Sequence, residues 1–211
     1  MATRAGILRT GEAETVRVEA FSDGVLAIVI TLLVLDIKLP EHVAGGNAAL
    51  WRALLAQLPM LGAWILSFFF VLVFWVTHHY FFRQLRSIDR GLLWLNGLFL
   101  LCISFTPFPT ALLGLYPTYP ASATVLSIAM FATAGSFYLM RWYATRHARL
   151  FLPEHEAQAM LALRRSAIAP ISYFVAIFAA QVSVPLSVAI QIAVPLLFFF
   201  PASLPQGDPK P

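Results

Sequence analysis

Apolar side chains recur along this chain in six long stretches, which charged residues, prolines or polar loops separate from one another. A helix needs about 20 residues to cross the ~30 Å hydrocarbon core of a bilayer, and the first four stretches reach that length. The six stretches are residues 21–39, 54–76, 92–115, 121–143, 167–184 and 186–200. The pattern predicts an all-α, polytopic membrane protein with six transmembrane helices.

The last two stretches form a single apolar run that only Ser183 and Pro185 interrupt. Each is near or below the lower limit of about 17 residues for a span. A tight hairpin of two short helices is our interpretation, although a single kinked helix and a re-entrant segment stay open, because irregular backbone is tolerated where protein buries it. Residues 1–200 are expected to form one membrane domain, and the proline-rich tail 201–211 is expected to be disordered.

Composition supports a membrane protein and excludes a soluble one. The chain is 60% apolar and 11% charged, whereas soluble domains average ~45–50% and ~25%. Its 211 residues leave no room for a soluble catalytic domain beside six spans. Cys102 is the only cysteine, which excludes an intramolecular disulfide and a multi-cysteine metal site.

The distribution of Lys and Arg predicts the orientation of the chain. Eleven of these residues flank the spans on the side of the N-terminus, against two, Lys38 and Arg52, on the other side. Under the positive-inside rule both termini are cytoplasmic, in a multi-pass protein of the cell membrane. The basic pI of about 9.6 then reflects this arginine bias, so the lipid bilayer is the expected partner and nucleic acid is not.

Motifs of soluble enzymes are absent from the sequence. It has no phosphate-binding Gly-x-x-x-x-Gly-Lys, no dinucleotide-binding Gly-x-Gly-x-x-Gly and no His-Glu-x-x-His. No nucleophile and base stand at catalytic spacing, so we expect neither an enzyme nor a cofactor. His78 and His79 are adjacent and point about 100° apart on a helix, so they cannot share one metal ion.

A charged segment between the fourth and fifth stretches could bind a metal only loosely, and a solvated loop is the better interpretation. It contains His147, Glu154, His155 and Glu156. We therefore expect no metal beyond ions that permeate. The Thr-Val-Gly-Tyr-Gly filter of common K⁺ channels is also missing.

The first stretch has one side that differs from an ordinary lipid-facing surface. At 100° per residue, one stripe of the helix collects a charge, an aromatic ring, a glycine, a hydroxyl and two bulky aliphatic side chains. These residues are Arg17, Phe21, Gly24, Ile28, Thr31 and Leu35. Asp23 falls about a third of a turn away from this stripe, so we expect it to face a neighbouring helix.

Polar residues on three helices are expected at one depth in the membrane. Counted at 1.5 Å per residue from the nearest arginine of each helix, Asp23, His78 and Asn96 lie about 7.5–9 Å deep. Trp75 is one turn further along the His78 face. An unpaired carboxylate in hydrocarbon costs several kcal/mol, which favours a hydrogen-bonded layer. This layer is either structural only, or a proton relay or pH sensor through His78.

Three short motifs resemble a known family. They are Arg17-x-x-x-Phe21-Ser22-Asp23 in the first helix, Trp75-x-x-His78 in the second, and Leu95-Asn96 followed by Pro107-Phe108 in the third. Together they are similar to a bacterial member of the transmembrane protein 175 family, whose animal relatives are potassium channels of endosomes and lysosomes. The match covers the first half of the chain. Gly24, where many relatives have alanine, and the second histidine, His79, depart from the pattern.

The resemblance implies a homotetramer of six-helix subunits whose first helices line a central pore without the usual filter. It implies a hydrophobic constriction at Ile28, and Leu35 lies two turns along the same stripe. It also implicates Thr31 in a preference for K⁺ over the more weakly permeating Na⁺. Residues 1–200 would then be a single channel domain.

Two other functions remain open at this stage. The alternative is a proton-coupled transporter that uses Asp23 and His78, although transporter sites tend to lie near the midplane and this polar layer lies near one face. A membrane enzyme is the weakest hypothesis, for want of a catalytic pair.

Overall fold

The computed structural model describes residues 4–38 and 43–199, which are helical almost throughout. The α-helices within these ranges are α1 (Arg4–Leu32), α2 (Gly46–Leu55), α3 (Leu58–Phe82), α4 (Arg90–Ser104), α5 (Pro107–Leu115), α6 (Pro120–Arg146), α7 (Pro153–Ser166), α8 (Ile168–Val182) and α9 (Val184–Phe199). Short 3-10 helices follow α1 at Leu33–Asp36 and α6 at Ala148–Leu150. The tail 201–211 lies outside the described residues.

The all-α, six-helix membrane architecture is confirmed. Within the described ranges, five segments are long and apolar enough to cross a membrane, and one shorter apolar helix, Val184–Phe198, follows them. The five are Glu14–Asp36, Leu58–Phe82, Arg90–Leu115, Pro120–Arg146 and Pro153–Val182. In the last of them the charge lies in α7, so α8 is its apolar part.

Helix boundaries differ from the sequence prediction around the second and third stretches. Leu54 belongs to the separate short helix α2, which the apolar pattern merged with α3. Gly45, with φ of 114°, precedes α2 in a backbone conformation that favours glycine. The third stretch breaks into α4 and α5 near Pro107, because proline has no N–H for the helical hydrogen bond.

The charged segment after α6 is a helix rather than a loop. Glu154, His155 and Glu156 lie in the first turns of α7, while Arg164 and Arg165 lie in its last turn. Acidic groups at the N-terminus and basic groups at the C-terminus interact favourably with the helix dipole and so stabilise the helix. The solvated-loop interpretation of these residues was therefore wrong, although their charges do stay exposed or half-exposed.

The two short helices at the end of the chain form a hairpin. Ser187 Oγ donates to the carbonyl of Ala176 at 2.9 Å. Residues eleven positions apart would be about 16 Å apart along one continuous helix, so the chain must fold back at Ser183. The hairpin therefore replaces the kinked helix and the re-entrant segment as the description of α8 and α9.

α6 is the central helix of the subunit and packs against α4, α5, α8 and α9. Its Phe137 contacts Phe74 of α3 and Phe99 of α4, with ring centroids 6.4 and 5.4 Å away. Arg141, one turn further along α6, is buried, with its guanidinium 5.1 Å from the ring centroid of Phe81. This aromatic core fixes α3 and α4 as the surface on which α1 packs.

Asp89 starts α4 and fixes it to α6. Its side chain accepts hydrogen bonds from the Leu92 amide at 2.9 Å and from the Tyr143 hydroxyl at 3.1 Å. Burial alone would raise the pKa of Asp89, but these hydrogen bonds, with the nearby His147 and Arg149, lower it by more. The carboxylate therefore stays ionised as the N-cap of α4.

Candidate functional site in the first membrane helix

α1 packs mainly against α3 and α4. The face that it turns to them buries Leu26 and Val29, and Leu33 is buried in the 3-10 turn that follows. The opposite face is the stripe that the sequence singled out. Its residues are exposed, with Phe21 at 66%, Ile28 at 59% and Leu35 at 64%, and with Arg17, Gly24 and Thr31 also exposed. The stripe therefore faces either lipid or another subunit.

Thr31 presents an oxygen atom on this exposed face. Its hydroxyl donates to the carbonyls of Ala27 at 3.0 Å and Ile28 at 2.9 Å in the same helix. This back-bonding uses the hydroxyl proton and turns the lone pairs of Oγ1 away from the helix. Thr31 thus offers acceptor capacity where Ile28 and Leu35 offer none.

Ser22, Asn96 and His78 form a buried hydrogen-bond chain across α1, α4 and α3. Asn96 Nδ2 donates to Ser22 Oγ at 2.9 Å, and Ser22 donates to the carbonyl of Val18 at 2.9 Å. The other end of the amide, Asn96 Oδ1, lies 2.9 Å from His78 Nε2. The imidazole stacks between Phe82 and Phe99.

This arrangement assigns the tautomer of His78. Because Asn96 Oδ1 can only accept, His78 Nε2 must carry the proton and donate. Nδ1 of the neutral ring is then an acceptor, and it is buried without a hydrogen-bond partner among the described residues. Among the buried side-chain atoms of Ser22, Asn96 and His78 that the structure describes, only this nitrogen lacks a hydrogen-bond partner.

Asp23 belongs to a separate pair. Its Oδ1 accepts a hydrogen bond of 3.0 Å from Trp75 Nε1 of α3, so Asp23 faces a neighbouring helix. The structure therefore divides the layer expected from the sequence: Asp23 bonds to Trp75, while His78 bonds to Asn96. The two titratable residues of the transporter hypothesis have different partners.

Glu19 is a member of this region that the sequence analysis missed. Its Oε1 lies 2.8 Å from Nδ1 of His79 on α3. Glu19 precedes Asp23 by four residues, a spacing that places both carboxylates on one helix face. That spacing was the feature of the sequence from which Glu19 could have been predicted to lie beside Asp23.

Arg17 lies on the exposed side of the same helix end. Together with Phe21 it borders a groove between α1 and α4, of which Leu93 and Gly97 form the opposite wall. Arg17 forms no ion pair with the carboxylates that the structure describes. Its side chain is exposed.

Comparison with known proteins identifies the family. Residues 17–107 match the sequence model of the family of the endosomal/lysosomal potassium channel TMEM175. A potassium channel of Streptomyces collinus is 42% identical over 181 residues, which cover 83% of this chain and 87% of the relative. The chain belongs to the TMEM175 family.

A solved structure extends the similarity to the whole membrane domain. The crystal structure of a lysosomal potassium-selective channel TMEM175 homolog from Chamaesiphon minutus superimposes with a TM-score of 0.80 at 35% identity, covering 89% of this chain and 97% of the homolog. The human endosomal/lysosomal proton channel TMEM175 is 34% identical over 138 residues, which cover 60% of this chain and 27% of the human protein. The bacterial family resemblance inferred from the motifs is thereby confirmed.

Proposed function

We propose that the chain is a potassium-preferring cation channel of the cell membrane, in which four copies surround a central pore lined by α1. The exposed stripe of α1 carries this proposal. A lipid-facing surface has no use for Arg17, Gly24 and Thr31 on one line, whereas a pore wall uses a charge, a small residue and a hydroxyl. The arginine bias of the loops supports cytoplasmic termini.

Ile28 and Leu35 are the proposed constriction. Ile28 lies in α1 and Leu35 in the 3-10 turn that continues it, so the two-turn α-helical spacing expected from the sequence is altered. Both side chains are exposed. Rings of such aliphatic side chains stop ions by excluding water from a narrow pore. The gate would then be hydrophobic, in a channel without the Thr-Val-Gly-Tyr-Gly filter.

Thr31 is the proposed source of the K⁺ preference. It lies between the two aliphatic positions, and its outward oxygen could replace part of the hydration shell of a permeating ion. K⁺ gives up its water more easily than Na⁺ does, so a ring of such oxygens favours K⁺.

Recording from the purified protein in a planar bilayer tests this function. With K⁺ on one side and Na⁺ on the other, we expect a current whose reversal potential has the sign of a K⁺-preferring pore. Empty bilayers with the same detergent are the control. A protein that carries no current, or whose reversal potential shows no preference for K⁺, would contradict the proposal.

Proton movement through Asp23 and His78 is the second candidate. The name of the human relative, a proton channel, and the unpaired Nδ1 of His78 favour it. The different partners of Asp23 and His78 speak against a direct relay between them. A pH-sensitive dye inside K⁺-free proteoliposomes would report proton entry, and Asp23→Asn should abolish it if this candidate is correct.

A further inference from the structure

Three potential metal ligands meet between α1 and α3 at the N-terminal end of the membrane-spanning part of α1. Glu19 and Asp23 come from α1 and His79 from α3, and one ligand atom of each lies within 4.8 Å of the others. All three residues are partly buried. The side chain of Glu19 is only 18% exposed, and that of His79 is 36% exposed.

The charges of this cluster are incompletely balanced. Two carboxylates meet at a partly buried position, and among the described side chains no lysine or arginine forms an ion pair with either of them. Trp75 donates a hydrogen bond to Asp23 but brings no charge. Two carboxylates whose oxygens lie within 4.8 Å of each other repel each other, and a bound cation relieves that repulsion.

The contact between His79 and Glu19 is close, but it is not a hydrogen bond of good geometry. Nδ1 lies 2.8 Å from Oε1, yet this nitrogen is buried and has no hydrogen-bond partner among the described residues. In a tetrahedral zinc site, metal–ligand distances of about 2.0–2.2 Å place neighbouring ligand atoms ~3.3 Å apart. To hold an ion, the Nδ1 and Oε1 atoms would have to separate by about 0.5 Å, and the three ligand atoms already lie within 4.8 Å of one another.

We propose that Glu19, Asp23 and His79 bind a divalent transition-metal ion of the Zn²⁺ class. One imidazole nitrogen and two carboxylate oxygens form a ligand set that suits such an ion, whereas Mg²⁺, Ca²⁺ and K⁺ prefer oxygen ligands throughout. Three protein ligands leave a fourth position for water. The ion connects α1 to α3 and so braces the helix that carries the exposed stripe.

The site is independent of the buried hydrogen-bond chain. His78 faces Asn96, while His79 points to the carboxylates of α1. Two adjacent histidines cannot share an ion, which is why the sequence predicted no bound metal. The fold instead places His79 beside two potential carboxylate ligands, Glu19 and Asp23, on a different helix.

Titration of the purified full-length protein with ZnCl₂, followed by calorimetry, tests the site. We expect one Zn²⁺ per chain and a rise in the thermal unfolding temperature on binding. His79→Gln removes the proposed nitrogen ligand. Loss of a residue that only supports a ligand already weakens metal binding by about tenfold, so we expect a loss of at least that size and no thermal shift. His155→Gln is the matched control, because it removes a histidine near the N-terminus of α7, and it should bind Zn²⁺ like the parent.

A parent protein that binds no Zn²⁺, or a His79→Gln protein that binds it with unchanged affinity, would overturn the site. If His79→Gln does not fold, Glu19→Gln carries the same expectation of weaker binding. Co²⁺ substitution of the parent provides a direct spectroscopic readout, with visible bands that Zn²⁺ should remove. These measurements report binding rather than ion flux, so their failure is distinct from failure of the channel proposal.

Discussion

A substitution of Ile28 tests the channel proposal most directly. Its side chain is 59% exposed in the subunit, and four copies would form an apolar ring that keeps the pore dry. Ile28→Asn places an amide in that ring. We expect K⁺ flux into proteoliposomes to rise by roughly tenfold, which corresponds to about 1.4 kcal/mol off the barrier.

The control for this substitution is the same change at a similarly exposed position on another helix. Ile171 of α8 is 62% exposed, and α8 packs mainly against α6 and α9. Ile171→Asn should leave the flux unchanged. If Ile28→Asn conducts no better than the parent, then Ile28 is not part of the constriction.

Substitution of Thr31 should change ion selectivity rather than the size of the current, because Thr31 presents an oxygen atom to the permeating ion and does not block the pore. Valine has nearly the same shape, so Thr31→Val removes the oxygen and keeps the width of the pore. We expect current to persist while the reversal potential in a K⁺/Na⁺ gradient moves towards zero. Thr124→Val is the control. Its hydroxyl also donates to a carbonyl four residues earlier, that of Pro120, and it accepts from Gln181 Nε2 at 2.7 Å, so its loss should leave the reversal potential unchanged. An unmoved reversal potential in Thr31→Val would remove Thr31 from the selectivity mechanism.

Residue patterns on one helix could be predicted better than partners between helices. The 100° periodicity placed Asp23 off the stripe, and the structure does turn it towards α3. That its partner is Trp75, while His78 bonds to Asn96, depends on the rotation of α3 about its own axis. A long apolar helix such as α3 shows no dominant polar face from which this rotation could be predicted.

Among the helices, close contact between α5 and α3 depends on a glycine. A Cβ atom on Gly114 would clash with Met60 Sδ and would lie 2.9 Å from the Cα of Met60. Backbone at that distance cannot move aside as a flexible side chain can. We expect Gly114→Ala to lower the thermal unfolding temperature by several degrees, in the range of about 1–3 kcal/mol for overpacking.

Gly135→Ala on α6 is the control for this close approach, because a Cβ atom added there would meet nothing within 4 Å. Alanine is the better helix former by roughly 1 kcal/mol, so this variant should be as stable as the parent or more so. Equal unfolding temperatures for the two variants would show that α5 can shift away from α3 at little cost.

Membrane helices were easier to predict than the helices that flank them. A span is recognisable because almost every residue in it must be apolar, whichever way it packs. α7 carries charges at both ends and resembles a polar loop in composition. Its helical form follows from how those charges are ordered along the segment, acidic first and basic last.

The whole molecule is incomplete as a single subunit if it conducts ions. One α1 cannot enclose a pore. Within the part of the chain that the structure describes, the main packing partners of α1 are α3 and α4. A monomer would leave the exposed stripe of α1, including Gly24 and Thr31, against lipid. Self-association through α1 would cover this stripe and create the pore in one step.

The assembly therefore makes a prediction that needs no current measurement. Native mass spectrometry from detergent should give four times the chain mass of 23.4 kDa. In a Cys102→Ser background, Gly24→Cys should form a disulfide between subunits on mild oxidation, because Gly24 lies on the exposed face of α1 and a small residue there permits close approach. Ile171→Cys in the same background should not, since α8 packs mainly against α6 and α9. A spectrum that contains only single chains, with cross-linking no faster at Gly24 than at Ile171, would leave α1 facing lipid, and a pore lined by this helix could not exist.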